Sequence, residues 1–244
     1  MSGARFRIGL LAPRYTFFDA QMLPGFADRV RSVGARCASL LGDAFELVYP
    51  GVIETEADAA AARAAFAAAP LDAVVIAPTM AMPAPLVLEA LGDCAAPLVL
   101  WNPVPWLRMG EDISQAKATE NTSTVACLMI ANVLLRRGRH AEVVTAPLDE
   151  PATVAHLVRV VRGAAAAGRL RGGALLRVGD ELPSYLNVAA SADDLARLGL
   201  RELAVAREEL DDAFLAVDDA TAAAVVDELR GHGWGGDGGP GLLR

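Results

Sequence analysis

The chain has 244 residues, enough for one large domain or two modest domains with cores of their own. Its net charge of −8 argues against nucleic-acid binding, because phosphate contacts need a concentrated basic surface. Hydrophobic residues make up 54% of the sequence, yet no run approaches the roughly 20 apolar residues of a membrane span, and no signal peptide is recognisable. We expect a soluble cytoplasmic protein with neither nucleic acid nor membrane as a partner.

Short apolar runs alternate with helical patterns through the first 147 residues. The apolar runs predict strands at residues 6–12, 45–49, 72–77, 97–101 and 141–145. Between them, apolar residues recur at spacings of three and four, and Thr55 with Asp58 predicts a capping box at the start of one helix. Five strands joined by helices describe an α/β fold with a doubly wound parallel sheet of the flavodoxin-like kind.

A second, smaller α/β domain is predicted to follow at residues 148–230. The pattern restarts after residues 146–151 with a helix, a strand, a second capping box at Ser191 and Asp194, another strand and a last helix. Residues 231–244 are rich in glycine and lack periodicity. We expect this tail to be disordered, because it cannot offset the entropy lost on ordering.

Candidate binding residues lie where the predicted strands end, since ligands of open parallel sheets gather at the carboxyl ends of the strands. The loop after the first strand offers groups that could bind a polyol. Equally, its two phenylalanines could fasten the loop to the core while Asp19 caps the next helix. The loop after the third strand is apolar with a single hydroxyl, which favours packing over binding. The loop after the fourth strand contains two prolines and a tryptophan, as is common at binding sites and subunit contacts.

A polar segment at the start of the following predicted helix completes the candidate set. Capping of the helix accounts for about half of its polar residues, and the others are ligand candidates. The candidate substrate-binding residues are Arg14, Tyr15, Asp19, Gln21, Thr79, Asn102, Glu120, Asn121 and Thr122.

No catalytic or metal-binding constellation is recognisable. The chain has neither a GxGxxG after the first strand nor a GxxxxGK, which argues against dinucleotide and P-loop sites. Its three histidines lack partners at metal-ligand spacing, and its three cysteines are too scattered for a disulfide framework. The sequence therefore predicts no catalytic residues and no metal ligands.

The order of segments resembles the L-fucose/L-arabinose isomerase family over about residues 5–230. The resemblance is carried by an ordered pattern that includes the runs RIGLLAPRYTFFDAQMLPGFADRV, LDAVVIAPTMAMPAPLVLEAL and APLVLWNPVP. Members of this family interconvert aldoses and ketoses with a divalent metal, usually Mn²⁺. The family's metal ligands lie in a later segment, so the resemblance implies a truncated chain that lacks them and is inactive alone.

The resemblance also implies a homo-oligomer with a small sugar as its ligand. In the family, N-terminal domains pack into trimers or hexamers and lend residues to a neighbouring active site. The matching positions here are Arg14, Tyr15, Gln21, Glu120, Asn121 and Thr122. The glutamine and histidine that arabinose isomerases carry in these regions are replaced, which leaves the sugar open.

Two further functions remain open at this point. The chain could be a stand-alone sugar-binding or regulatory module with a cleft between two domains. It could also be an active isomerase as written, which would require Mn²⁺-dependent ketose formation by the purified protein.

Overall fold

A computed structural model describes residues 5–22, 24–108, 110–111, 113–180 and 190–231. These residues form two compact units, one spanning Ala4–Arg171 and the other beginning at Gly172. The predicted disordered tail lies almost entirely outside the described ranges, so its disorder stays a prediction. In the part of the chain that is described, no helix is both long enough and apolar enough to cross a membrane.

The first unit is built on a parallel sheet of six strands. These are β1 (Arg7–Pro13), β2 (Glu46–Val48), β3 (Val52–Ile53), β4 (Ala73–Ile76), β5 (Leu98–Asn102) and β6 (Ala141–Thr145). The strand order is β2-β1-β4-β5-β6, and β3 pairs with the carboxyl end of β1. Strands β4 and β5 are buried along their whole length, as expected for central parallel strands covered on both faces.

Helices cover both faces of this sheet. They are α1 (Phe26–Gly42), α2 (Glu56–Ala68), α3 (Pro85–Leu91), α4 (Gln115–Glu120), α5 (Ser123–Arg136) and α6 (Pro151–Leu170). Apolar side chains of α1 and α6 share one core cluster with the sheet, and those of α2, α3 and α5 share the other. The predicted doubly wound α/β sheet is therefore confirmed.

Local sequence signals account for much of this arrangement. The capping box of α2 is present, since the Thr55 hydroxyl accepts a bond from the Asp58 N–H at 3.1 Å and the Asp58 carboxylate accepts one from the Thr55 N–H at 2.9 Å. Three elements of the first unit were not predicted from the sequence: β3, the 3-10 helix Thr16–Gln21 and α4. Each is only two to six residues long, too short for a periodic pattern to develop.

Helix α6 belongs to the first unit, although the sequence assigned it to the second domain. Its residues Leu157, Val161 and Ala165 are fully buried in the same cluster as the strand residues of the large sheet. Arg169, near its end, binds Asp72 just before β4 through two nitrogens at 2.8 and 2.9 Å. The first unit consequently extends to Arg171, beyond the predicted boundary at residue 147.

The second unit contains the expected smaller α/β element. Strands β7 (Ala174–Val178) and β8 (Arg201–Val205) pair in parallel, and α7 (Ala192–Arg197) lies between them in the chain. Two more helices follow, α8 (Arg207–Leu215) and α9 (Asp219–Gly231). The Ser191 hydroxyl accepts a bond from the Asp194 N–H at 3.1 Å, as predicted for the start of α7.

The attachment of α6 can be tested at Gly168, where the helix meets the backbone just before β4. A Cβ atom at Gly168 would overlap the Asp72 carbonyl group, so Gly168→Ala should destabilise the protein by about 1–3 kcal/mol. A Cβ atom at Gly163, on the same helix, would meet no described atom within 4 Å, so Gly163→Ala should be neutral or stabilising by up to about 1 kcal/mol. Thermal unfolding of both variants measures this contrast. Equal stability of the two variants would contradict the close packing of α6.

Candidate functional site

The carboxyl ends of the strands meet at one edge of the large sheet, because all of its strands are parallel. After β1 the chain moves to β2 on one side, and after β3 it crosses to β4 on the other side. The switch point of this fold therefore lies between β1 and β4, where open α/β sheets bind their ligands. The loops after β1, β4 and β5 surround it.

Arg14 follows β1 directly and is the central charged group at this point. Its side chain is fully buried. One terminal nitrogen, Nη1, donates to Glu54 Oε1 at 2.7 Å, and Nη2 forms an ion pair with Asp19. Its Nε is buried without a hydrogen-bond partner among the described residues. The guanidinium is thus held by two carboxylates, and its Nε–H group donates to no described residue.

Glu54 follows β3 and joins Arg14 to helix α1. Its carboxylate also accepts bonds from Arg31 Nε at 2.7 Å and Arg31 Nη2 at 3.0 Å. Hydrogen bonds from Arg31 and then from Arg14 hold the pKa of Glu54 below its ordinary value of 4.5. The carboxylate is therefore charged at neutral pH and fixes two arginines.

The loop after β4 is fastened to the neighbouring strand ends through its hydroxyl and backbone groups. Thr79 is buried, and its N–H and hydroxyl both donate to the Pro13 carbonyl, at 3.0 and 3.3 Å. The Ala81 N–H donates to the Thr122 hydroxyl at 2.9 Å, and that hydroxyl donates to the Thr119 carbonyl at 2.6 Å. Both predicted threonines thus hold loops together.

Asn102 ends β5 and binds the start of α5. Its Oδ1 accepts from the Ser123 hydroxyl at 2.7 Å, and its Nδ2 donates to the Thr124 and Thr145 hydroxyls at 2.9 and 3.3 Å. The side chain is almost completely buried. Its amide therefore positions the helix rather than facing an open cavity.

The segment between α4 and α5 is held in the same manner. Glu120 is buried and accepts from Arg29 Nε of α1 at 2.7 Å. The Asn121 amide makes two bonds of 3.1 Å with the backbone of Trp106, one to its N–H and one to its carbonyl. The Lys117 ammonium lies 5.0 Å from the centre of the Trp106 ring. These contacts fix the loop after β5.

The remaining candidates reach the surface on the loop after β1. The Tyr15 ring stacks on Phe17 with centroids 5.6 Å apart, and Phe17 is more than half exposed. Asp19 and Gln21 lie on the 3-10 helix of the same loop, Asp19 partly exposed and Gln21 exposed. Of the nine candidates, Gln21 is exposed, and Tyr15, Asp19, Asn121 and Thr122 are partly exposed. The other four are buried.

Sequence reasoning missed several residues of this network. Glu54 was not predicted because β3 was not recognised as a strand, so the residue that follows it was not among the candidates. Arg31 lies within helix α1, away from the predicted strand ends where candidates were sought. Ser123, Thr124 and Thr145 supply the three hydroxyl groups that bind the Asn102 amide. The sequence could have indicated them by their position, at the start of a predicted helix or at the end of a predicted strand.

A groove at the opposite edge of the sheet offers a poorer site for a polar ligand. It encloses about 600 Å³ between α2, α3 and the segment before β5. Its walls are mostly apolar, including Phe66, Leu71 and Leu91, with Arg63 and Asp93 as its charged members. We therefore take the carboxyl edge as the candidate site.

The carboxylates of the candidate site do not fit a divalent cation such as Mn²⁺. Asp19 and Glu54 are paired with Arg14, and Glu120 is paired with Arg29. Across the described ranges, no group of three or more His, Cys, Asp or Glu side chains is arranged to hold a metal ion. A cation at this edge would have to compete with guanidinium groups for the same oxygens.

Comparison of the chain with protein-family models and with curated proteins gave no match. The family resemblance of the sequence therefore stays a hypothesis, and the geometry of the site carries the functional argument.

The Glu54 ion pairs predict a pH-dependent contribution to stability. The folded-state pKa of Glu54 is lowered, so its contribution is complete above about 4.5 and is lost as the pH falls through the folded value. Glu54→Gln should cost about 1–3 kcal/mol at pH 7, and the difference from the wild type should shrink below pH 4.5. Urea unfolding between about pH 3 and pH 7 measures it. Glu111→Gln, at an exposed residue, is the control and should follow the wild type at every pH.

Proposed function

We propose that this chain is a sugar-binding part of an aldose–ketose isomerase of the L-fucose/L-arabinose type, acting in carbohydrate metabolism in the cytoplasm. The doubly wound fold supports the proposal, as does the position of its polar groups at the switch point. The observation that carries it is the pairing of the buried Arg14 with Asp19 and Glu54, which fixes a loop that presents aromatic, carboxylate and amide groups at the surface.

This set of groups suits a neutral polyol. Each sugar hydroxyl both donates and accepts hydrogen bonds, so it can bind a carboxylate and an amide at once. The Gln21 amide offers a donor and an acceptor on the same loop, and the exposed Phe17 ring offers an apolar surface. An anionic ligand would instead meet Asp19 and Glu54, whose charges oppose it.

The role proposed for the chain is to bind and orient the sugar. Mn²⁺ would polarise the sugar oxygens in an isomerase of this type. The carboxylates at the described site are engaged by arginines, so we propose that the metal ligands and the proton-transferring residue lie outside the described residues. Within the site, Asp19 and Gln21 would orient hydroxyl groups.

Sugar binding can be measured by calorimetric titration of the purified chain with a neutral pentose and a 6-deoxyhexose. Asp19→Asn and Gln21→Ala should each weaken binding about tenfold, the effect of one lost hydrogen bond to a charged or amide group. Asp93→Asn, at the opposite edge of the sheet, is the matched control and should bind as the wild type does. The proposal fails if neither sugar binds, or if Asp93→Asn weakens binding as much as Asp19→Asn.

Turnover distinguishes the proposed isomerase part from a complete isomerase. With Mn²⁺ and a pentose, we expect the purified chain to form no more ketose than Mn²⁺ alone, because its site carboxylates are neutralised by arginines. Colorimetric detection of ketose measures this. Metal-dependent ketose formation would contradict the expectation.

A second candidate function is a stand-alone sugar-binding or regulatory module. It is favoured because the carboxylates of the site are paired with arginines, and such a module needs no metal ligands. Both candidates require sugar binding at the carboxyl edge. They differ in whether a metal-bearing segment joins this site, so reconstitution of turnover by a separate metal-binding isomerase segment would favour the first candidate.

A further inference from the structure

Trp101 and Trp106 follow each other closely in the chain but lie in opposite environments. Trp101, within β5, is fully buried, and its indole N–H donates to the Ala146 carbonyl at 2.8 Å. Trp106, on the loop after β5, is 40% exposed and belongs to none of the apolar clusters that the described residues form. Its indole N–H has no acceptor among those residues. Unlike most tryptophans, Trp106 therefore contributes little to a core.

Polar contacts nevertheless hold Trp106 in a fixed place. Its N–H and carbonyl groups each form a 3.1 Å bond with the Asn121 amide. Pro103 and Pro105 precede it and restrict the backbone of the loop, because a proline ring fixes φ. A ring that is fixed at the surface can bind a ligand without losing much conformational entropy.

Lys117 orients the Trp106 ring from one side. Its ammonium lies over the ring, 5.0 Å from the ring centre, which is within the range of a cation–π contact. No carboxylate in the described part of the chain forms an ion pair with Lys117, whereas Arg14 and Arg29 at the same edge are paired with carboxylates. The ring is therefore the group that holds the ammonium, and a ligand would take the ring face opposite Lys117.

Helix α4 connects Trp106 to the loop after β1, which carries the groups proposed to orient a sugar. Ala116, beside Lys117 in the chain, is buried in a small apolar cluster with Met80 of the loop after β4. Phe18 of the loop after β1 packs against this cluster. The Trp106 ring and the loop after β1 are thus held by the same short helix.

We propose that Trp106 is the aromatic platform of the candidate site, which stacks on the C–H groups of a sugar in its closed pyranose form. This inference rests on the proposed sugar binding at the carboxyl edge. One side of a pyranose ring exposes several C–H groups, whose partial positive charge is attracted to the negative face of an aromatic ring. The indole N–H would donate to a hydroxyl of the same sugar.

The closed form of the sugar fits this platform better than an open chain does. The C–H groups of a rigid pyranose already lie on one side of the ring. An open chain would have to fix each of its C–C torsions before it could present them in the same way, which costs entropy. The platform therefore selects the ring form, whereas Asp19 and Gln21 would bind hydroxyl groups of either form.

Binding of two locked analogues by the full chain tests the platform. The methyl pyranoside of a pentose cannot open its ring, and the alditol of the same pentose cannot close one. In calorimetric titrations we expect the pyranoside to bind about tenfold more tightly than the alditol. Trp106→Ala should remove this preference, because it should raise the Kd of the pyranoside about tenfold and leave that of the alditol unchanged. Trp106→Phe keeps an aromatic face and should raise the Kd of the pyranoside no more than about threefold.

Leu107→Ala is the matched control for these variants. Leu107 is the next residue of the loop and is 59% exposed, but it presents no aromatic face. The control should therefore keep both Kd values of the wild type. Circular dichroism of each variant checks that the fold is retained.

Two results would overturn the inference alone. The first is a wild-type chain that binds the alditol as tightly as the pyranoside. The second is a folded Trp106→Ala variant that keeps the preference for the pyranoside while Asp19→Asn weakens sugar binding. If the wild-type chain binds neither analogue nor the parent pentose, the proposed function fails and the platform fails with it.

Discussion

A guanidinium buried without a counter-charge costs a protein several kcal/mol, and the fully buried Arg14 avoids this cost through Asp19 and Glu54. These two carboxylates come from different segments, the 3-10 helix after β1 and the end of β3. Burying Arg14 therefore fixes both segments against the end of β1. Glu54 extends the constraint to α1 through Arg31.

Across the rest of the carboxyl edge, buried polar groups likewise form hydrogen bonds with neighbouring segments and are not available to a ligand. Asn102 satisfies its amide with three hydroxyls, and Thr79 binds the end of β1. Such a network gives a rigid edge, because each buried polar group would otherwise be left unpaired. Three of the five candidate residues that reach the surface then lie on the loop after β1. A ligand at this edge would meet groups that are already fixed, an arrangement that limits the ordering entropy lost on binding.

The sequence predicted the architecture well because the architecture rests on local signals. Apolar runs identified every strand of the large sheet except β3, and the Thr55 capping box identified the start of α2. The strand β3 contains only two residues and follows Pro50 and Gly51, which suggested the end of a strand. Helix α6 was assigned to the wrong side of the boundary, because its apolar stripe does not reveal which sheet it covers.

The sequence predicted where the residues of the candidate site lie in the fold, but it did not predict which residues they contact. Strand ends can be read from the sequence, so Arg14, Thr79 and Asn102 were placed at one edge. Their partners lie far away in the chain: Arg14 pairs with Glu54 over 40 positions, and Arg29 pairs with Glu120 over 91. Single-sequence patterns carry no information about such pairs. A residue predicted to contact a ligand was therefore often one that contacts another loop.

Helix α5 and strand β6 are joined through the Asn102 amide. The first residues of the helix, Ser123 and Thr124, bind this amide at the carboxyl edge, and Thr145 at the end of β6 binds it as well. A shift of the helix along the sheet would break these bonds and leave polar groups of an almost completely buried side chain unpaired. Polar contacts at its start and apolar packing along its inner face therefore fix α5 together, so the carboxyl edge keeps its arrangement.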